Sequence, residues 1–201
     1  MEFIDRPLKC NFLFKFIIIG KSNVGKTYLI SRINFYKDYC KFIDYKKDQT
    51  FFINYDFILS NVKYKNKLIR LQIWDTPEDL TYENSIIENI RSSNAIILCY
   101  DAYNRESFNY IKNIYSKIKN KYNNLIYALI RNKYDIKINK DNKNIVNIVS
   151  DEEALEFADK NNFIFQHISN VEKYENGIKN LLELILDKIL DKEEKNLNIN
   201  T

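Results

Sequence analysis

The 201-residue sequence predicts an α/β fold: a mostly parallel, six-stranded sheet with helices on both faces. Three observations predict it. Several strand-length runs are almost wholly apolar, as strands covered on both faces must be. Amphipathic helical stretches separate them, which implies right-handed crossovers. The first apolar run also ends at a glycine, in a loop that opens a helix. No linker, repeat or second core interrupts the alternation. The expected organisation is an N-terminal extension over residues 1–12, one domain over 13–192 and a polar C-terminal tail over 193–201.

Each element has its own signal. Leu13 to Ile19 is mostly Phe and Ile and reads as a buried strand ending at Gly20. Gly25 to Asn34 has helical spacing, with Leu29, Ile30 and Ile33 on one side. Asp56 to Val62 and Lys67 to Asp75 read as two strands joined by a polar turn at Lys63 to Asn66, a hairpin. Glu83 to Arg91 reads as a short helix, and Ala95 to Tyr100 as a central buried strand. Ser107 to Lys119 carries Phe108, Ile111, Ile114, Tyr115 and Ile118 at helical spacing, with Ser107 near its start. Leu125 to Ile130 is a third buried strand, followed by a Lys/Asn-rich loop over Ile136 to Val149. Asp151 to Lys160 is predicted helical, Phe163 to Ser169 a strand, and Asn176 to Leu190 a long amphipathic helix. Beyond Asp191 the chain is charged and polar and is expected to fray.

Composition narrows the function. There are 3 Gly and 2 Pro, where average usage would give about 14 and 10. Asn, Ile and Lys number 28, 31 and 25 instead, the skew of a genome rich in A and T. The net charge of +4 therefore reads as a solvated basic surface rather than a nucleic-acid interface. No apolar run approaches the roughly 18 residues of a membrane span. Met1-Glu2-Phe3-Ile4-Asp5 is acidic where a signal peptide would be basic. Cys10, Cys40 and Cys99 lack paired spacing, which disfavours a disulfide scaffold or a zinc site. A cytoplasmic monomer is expected. A glycine kept in so skewed a chain is expected to have a backbone reason.

The chemistry concentrates in two motifs. Gly20-Lys-Ser-Asn-Val-Gly-Lys-Thr27 matches G-x-x-x-x-G-K-[ST] between a strand and a helix, the context of a P-loop NTPase. Backbone N–H groups at a helix N-terminus form a concave anion site. Gly20, Ser22, Asn23, Val24, Gly25, Lys26, Thr27 and Tyr28 are the predicted nucleotide-binding residues here. Lys26 is placed to stabilise the β- and γ-phosphates, and Thr27 to ligate Mg²⁺. The second motif, Asn132-Lys133-Tyr134-Asp135, follows directly on a buried strand. Its carboxylate, Asp135, can accept from both N1–H and the N2 amine of guanine, a donor pair that adenine lacks. The pair of motifs predicts GTP or GDP as ligand.

These residues resemble small GTPases of the Ras superfamily, most closely the Rab branch and its small G-protein fold. Arg70-Leu-Gln-Ile-Trp-Asp-Thr76 is similar to the Rab sequence K-L-Q-I-W-D-T. Ile96-Ile-Leu-Cys-Tyr-Asp101 followed by Arg105-Glu-Ser-Phe108 looks like I-I-L-V-Y-D and then x-E-S-F. The resemblance covers about residues 10 to 190. It implies that Asp75 holds Mg²⁺ through water, and that Ser169 with Asn170 falls in the loop that contacts guanine. Phe57 and Trp74 match two of three aromatic positions that Rab proteins present to effectors, and the third falls on Asn89. Effector and regulatory proteins are thus expected to bind through residues 45–90.

The departures from the family bear on catalysis. Where the family has Ala-Gly-Gln-Glu, this chain has Pro77-Glu78-Asp79-Leu80. The glycine whose amide grips the γ-phosphate is replaced by Glu78, and the water-orienting glutamine by Asp79. The Mg²⁺-binding threonine position of the first switch falls on Phe52, with Thr50 able to serve only if the loop carries two extra residues. Two readings stay open: a Rab-like switch in vesicle traffic with weak hydrolysis, or a catalytically silent guanine-nucleotide scaffold acting through protein contacts. No cysteine follows Cys99, and Met1-Glu2 does not suit N-myristoylation, so no direct lipid anchor is expected. Location on endomembranes would then depend on partners. His167 reads as a structural residue and Cys99 as inert core.

Overall fold

The structure, a computed structural model, describes residues 2–3, 10–35, 57–76, 90–133, 148–168 and 175–199. Its strands are β1 (Glu2–Phe3), β2 (Phe12–Ile19), β3 (Phe57–Tyr64), β4 (Lys67–Asp75), β5 (Ala95–Asp101), β6 (Ile126–Asn132) and β7 (Ile164–His167). The helices are α1 (Lys26–Phe35), α2 (Arg105–Ile118), α3 (Asp151–Lys160) and α4 (Glu175–Ile199). They form one sheet in the order β1-β3-β4-β2-β5-β6-β7. The six expected strands are all present, and pairing among β4, β2, β5, β6 and β7 is parallel.

The sheet buries apolar side chains on both faces. Phe14, Phe16 and Ile18 of β2 point to one side, against Leu29 and Ile33 of α1 and Leu181, Leu182 and Ile185 of α4. Ile17 and Ile19 point to the other, with Ile96, Leu98 and Tyr100 of β5 and Phe108 and Ile111 of α2. This two-sided burial is why the central strands carry no polar face. Because β2 has β4 on one side and β5 on the other, the crossovers leave it in opposite directions. The carboxyl ends of β2, β4, β5 and β6 then open on a common crevice.

Turn chemistry accounts for the junctions. Lys65 and Asn66 both have positive φ, 46° and 62°, so the hairpin closes on a tight two-residue turn matched to strand twist. The predicted turn, Lys63 to Asn66, is therefore shorter than expected, and β3 runs on to Tyr64. Helix α3 starts as predicted, with the Ser150 hydroxyl accepting from Glu153 N at 3.1 Å. Helix α2 starts earlier than predicted: Asn104 is the cap, and Ser107 is a buried residue of the first turn. Of the expected helix Glu83 to Arg91, only the helical Ile90 and Arg91 are among the described residues.

Two expectations at the ends are corrected. Part of the stretch read as an N-terminal extension belongs to the sheet: Phe12 is in β2, and β1 pairs antiparallel with Val62 and Lys63 of β3. An edge strand offers unpaired backbone groups, and β1 satisfies some of them. The expected fraying beyond Asp191 and the polar tail from residue 193 also give way, because α4 continues to Ile199. Lys67 Nζ bonds Glu194 Oε1 at 2.8 Å, and Lys192 Nζ donates to the Asn124 carbonyl. Further back, Asp187 Oδ1 accepts from Tyr64 Oη and from Lys65 Nζ, each at 2.7 Å. The hairpin tip thus clasps the helix.

Burial disfavours the Asp187 carboxylate, but the bonds from Lys65 and Tyr64 outweigh it and hold its carboxyl below the usual value. A depressed folded-state pKa gives stability that is present at neutral pH and lost as the pH falls through the carboxylate range. Asp187→Ala is expected to cost about 1 kcal/mol at pH 7, or roughly 2–4 °C in melting temperature. Melts at pH 7 and pH 3 check this: the gap between wild type and variant should narrow at the lower pH.

Candidate functional site

The loop from β2 to α1 is shaped by steric limits. A Cβ on Gly20 would lie 2.3 Å from the Cys99 carbonyl oxygen of β5, so only glycine lets the chain turn there. Asn23 and Gly25 follow with φ of 63° and 94°, while Val24 is buried and anchors the loop from beneath. Lys26 is 8% exposed, and its Nζ donates to the carbonyls of Gly20 at 2.8 Å and Lys21 at 3.1 Å. The ammonium therefore spans the loop and is held near where a phosphate would meet the N–H groups of α1. Ser22 lies exposed on the loop, and Tyr28 is half-buried in the first turn of α1.

Thr27 Oγ1 donates to Asp75 Oδ2 at 2.6 Å, joining the start of α1 to the end of β4. Asp75 Oδ1 is buried and has no hydrogen-bond partner among the described residues. Thr76 fixes this strand end by donating to the Ile18 carbonyl at 2.7 Å. A hydroxyl beside a carboxylate with one unsatisfied oxygen is an oxygen donor set suited to Mg²⁺, which keeps several waters and needs few protein ligands. The residues present fit the ion. No cluster of three or more His, Cys, Asp or Glu side chains able to hold another metal occurs among the described residues.

The second motif meets the first directly. Asn132 is fully buried, and its Nδ2 donates to the Val24 carbonyl at 2.7 Å. Lys133 takes a left-handed φ of 61°, and its Nζ donates to Asp101 Oδ2 at 2.7 Å. Asp101 was not foreseen as a site residue. The stretch Ile96 to Asp101 had pointed to it only as a resemblance, because its partner lies 32 residues away. Asp135, Ser169 and Asn170 lie outside the described residues, as do Thr50, Phe52, Glu78, Asp79 and Asn89. The residues that lead into two of these segments are described, and Ile168 N bonds the Arg131 carbonyl at 2.9 Å.

The remaining expectations can be placed as well. Burial pushes the Cys99 thiol up to about 12, which leaves it an inert core residue as expected. His167 is a half-buried residue of β7 whose Nδ1 is 3.9 Å from Asp151 Oδ1. Phe57 and Trp74 stack at 4.8 Å, with Lys15 Nζ 4.5 Å above the Trp74 ring.

A model of the Ras family matches residues 15–191. The chain belongs to the Ras family, among its Rab-like small GTPases. It is 38% identical to "Ras-related protein Rab-4" of Dictyostelium discoideum over 118 residues, 58% of this chain and 52% of that protein. It is 36% identical to "GTP-binding protein YPT1" of Saccharomyces cerevisiae over 51% of this chain and 46% of that one. A longer match, to "GTP-binding protein YPTM2" of Zea mays, is 33% identical over 79% of this chain and 72% of that relative. The chain thus spans about half the length of the first two relatives. This Ras-family chain places Phe57, Trp74, the loop over Gly20 to Thr27, and Asn132 with Lys133 at neighbouring strand ends.

The close approach at Gly20 has a measurable consequence. Gly20→Ala must displace either the loop or the Cys99 carbonyl, and is expected to cost about 1–3 kcal/mol. Asn23→Gly keeps the left-handed conformation available and is expected to change stability by less than about 1 kcal/mol. Urea denaturation of both variants checks the contrast.

Proposed function

We propose that this Ras-family protein binds GTP and GDP together with Mg²⁺ and acts as a Rab-like switch in vesicle traffic, with weak intrinsic hydrolysis. The observation that carries the reading is the bond from Asn132 Nδ2 to the Val24 carbonyl, which ties a base-reading motif to a phosphate-binding loop. On this reading the N–H groups of residues 20–28 and the Lys26 ammonium hold the phosphates. Asp135 reads the guanine edge, with Ser169 and Asn170 beside it, and Asn132 and Lys133 position that segment. Thr27 and, through water, Asp75 hold Mg²⁺, which neutralises phosphate charge when bound. The stacked Phe57 and Trp74 lie within residues 45–90, the proposed surface for effectors and regulators.

Hydrolysis in this superfamily depends on positioning and on donors to developing charge. Asp79 is shorter than glutamine and lacks its N–H donors. As an anion it adds repulsion, roughly 1 to 4 kcal/mol between unit charges about 4 Å apart. Single-turnover hydrolysis is therefore expected at or below about 10⁻⁴ s⁻¹. Asp79→Gln alone should recover little, since Glu78 and Phe52 remain. Brisk turnover by the wild type would contradict this assignment of the second switch.

Binding has a separate test. Calorimetry should show a clear preference for GDP over ADP, and Lys26→Ala should weaken GDP binding about 10- to 100-fold, as expected for a lost charge-assisted bond. Equal affinity for GDP and ADP would overturn the guanine reading. Pro77-Glu78-Asp79 also favours the second reading, a silent scaffold whose bound nucleotide supports a fixed surface. Hydrogen exchange over residues 45–90 in the GDP- and GTP-analogue-loaded protein distinguishes them: a switch changes protection there, and a scaffold does not. Among the described residues no helix is long and apolar enough to cross a membrane.

A further inference from the structure

One buried cation at the end of β6 belongs to neither motif. Arg131 is the residue before Asn132 on β6, and its side chain is 7% exposed. It stands in register between Tyr100 of β5 and His167 of β7. Its Nη1 donates to Asp151 Oδ1 at the start of α3, and its Nη2 donates to the Val149 carbonyl at 3.2 Å. Its own carbonyl accepts from Ile168 N. Arg105 makes a parallel set of contacts from α2, to the Ile148 carbonyl at 2.7 Å and to Glu153 at 2.9 Å. Backbone bonds from Val149 N to Ala102 O and from Ala102 N to Asn132 O complete the lattice.

Arg131 therefore joins three segments: the end of β6, the stretch entering α3 and the end of β7. The chain that continues from β6 carries Lys133 and Asp135, and the chain that continues from β7 carries Ser169 and Asn170. A buried guanidinium tolerates little displacement, because its desolvation is offset only while its fork keeps its partners. Any shift of one segment is thus transmitted to the other two.

We propose that Arg131, held by Asp151, is a positioning residue that sets how firmly and how selectively the guanine base is gripped. It acts through the backbone of Asn132 and Ile168 and does not itself touch the nucleotide. This rests on the guanine-binding reading above. The grip on the phosphates comes from residues 20–28, which Arg131 reaches only through the bond from Asn132 to the Val24 carbonyl. Loosening Arg131 should therefore affect base discrimination more than phosphate binding. Inosine diphosphate lacks the N2 amine that Asp135 would accept from, so the preference for GDP over inosine diphosphate reports how well that carboxylate is placed.

The test compares wild type, Arg131→Met, Arg131→Lys and Asp151→Asn in full-length protein. Affinities for GDP, inosine diphosphate and ADP, GDP release rates and melting temperatures are measured together. Arg131→Met removes the buried charge and leaves behind an Asp151 carboxylate that is half-exposed and so remains solvated. It should speed GDP release about tenfold or more, the scale expected when a supporting residue misplaces a binding group. It should also lower the GDP-to-inosine diphosphate preference towards unity. Arg131→Lys should recover part of both, keeping a charge for Asp151 but losing the fork. Should Arg131→Met fail to fold, Asp151→Asn, altered at a half-exposed partner, must give the same pair of changes. A variant that melts lower yet keeps wild-type release and wild-type preference, measured where it is folded, would overturn the proposal. Equal affinity of the wild type for GDP and ADP would instead remove the guanine reading beneath it.

Discussion

The ligand edge of this protein depends on the closeness of two strands at one point. β2 ends directly against β5, where a Cβ on Gly20 would lie 2.3 Å from the Cys99 carbonyl oxygen. That contact makes the chain leave the sheet at residue 20 and turn over its own strand end. Val24 then drops into the core, and α1 begins at Lys26, which sets the N–H groups of its first turn at the end of the loop. A side chain at residue 20 would push the loop off the sheet, and the carbonyl that Asn132 grips would move with it.

From that fixed loop the remaining site residues are reached by short polar links. Asn132 holds the Val24 carbonyl, Thr27 holds Asp75, and Lys133 holds Asp101. The first two tie the ends of β6 and β4 to the loop and the start of α1, and the third ties the end of β5 to β6. Each charged group in these links also has an opposite charge or a hydroxyl beside it. This lowers the cost of partial burial and holds the side chains in place before any ligand arrives. A Lys133 freed from Asp101 would be a flexible cation; bound to it, the residue stays in a left-handed conformation that leads the chain towards Asp135.

Much of this was legible in the sequence, and the exceptions share a physical cause. Central strands announce themselves because burial on both faces leaves them almost wholly apolar, as in Ala95 to Tyr100. The phosphate loop announces itself because its geometry needs glycine and lysine at fixed spacing. What escaped notice rests on pairing between distant residues. The continuation of α4 to Ile199 is invisible in a run such as Lys192-Glu193-Glu194-Lys195, which has no apolar stripe. Its contact with Lys67 spans 127 residues. Strand β1 is two residues long and exists only because β3 has an edge to cover. Helix α2 starts at Arg105 under an Asn104 cap, and the Ser107 hydroxyl is used inward, accepting from Asp101 N at 3.0 Å and donating to the Asn104 carbonyl at 2.6 Å. The assignment of Asp135 and Ser169 to the guanine base rests on the sequence alone.

The scarcity of glycine adds a last constraint. Five described residues other than glycine have positive φ: Asn23, Lys65, Asn66, Lys133 and Asn162, all between 46° and 63°. That interval is the left-handed α well, which asparagine enters more readily than other residues with a side chain. A chain drifting towards asparagine and lysine can therefore surrender glycines there at modest cost. It cannot do so where the backbone leaves that well or where space runs out. Gly25 has φ of 94°, outside the well, and Gly20 has no room for a Cβ. Gly177, the third, would bring a Cβ within 3.1 Å of the His167 carbonyl oxygen, where α4 packs against the end of β7. Gly20 and Gly25 are positions where asparagine is no substitute, and both shape the phosphate loop.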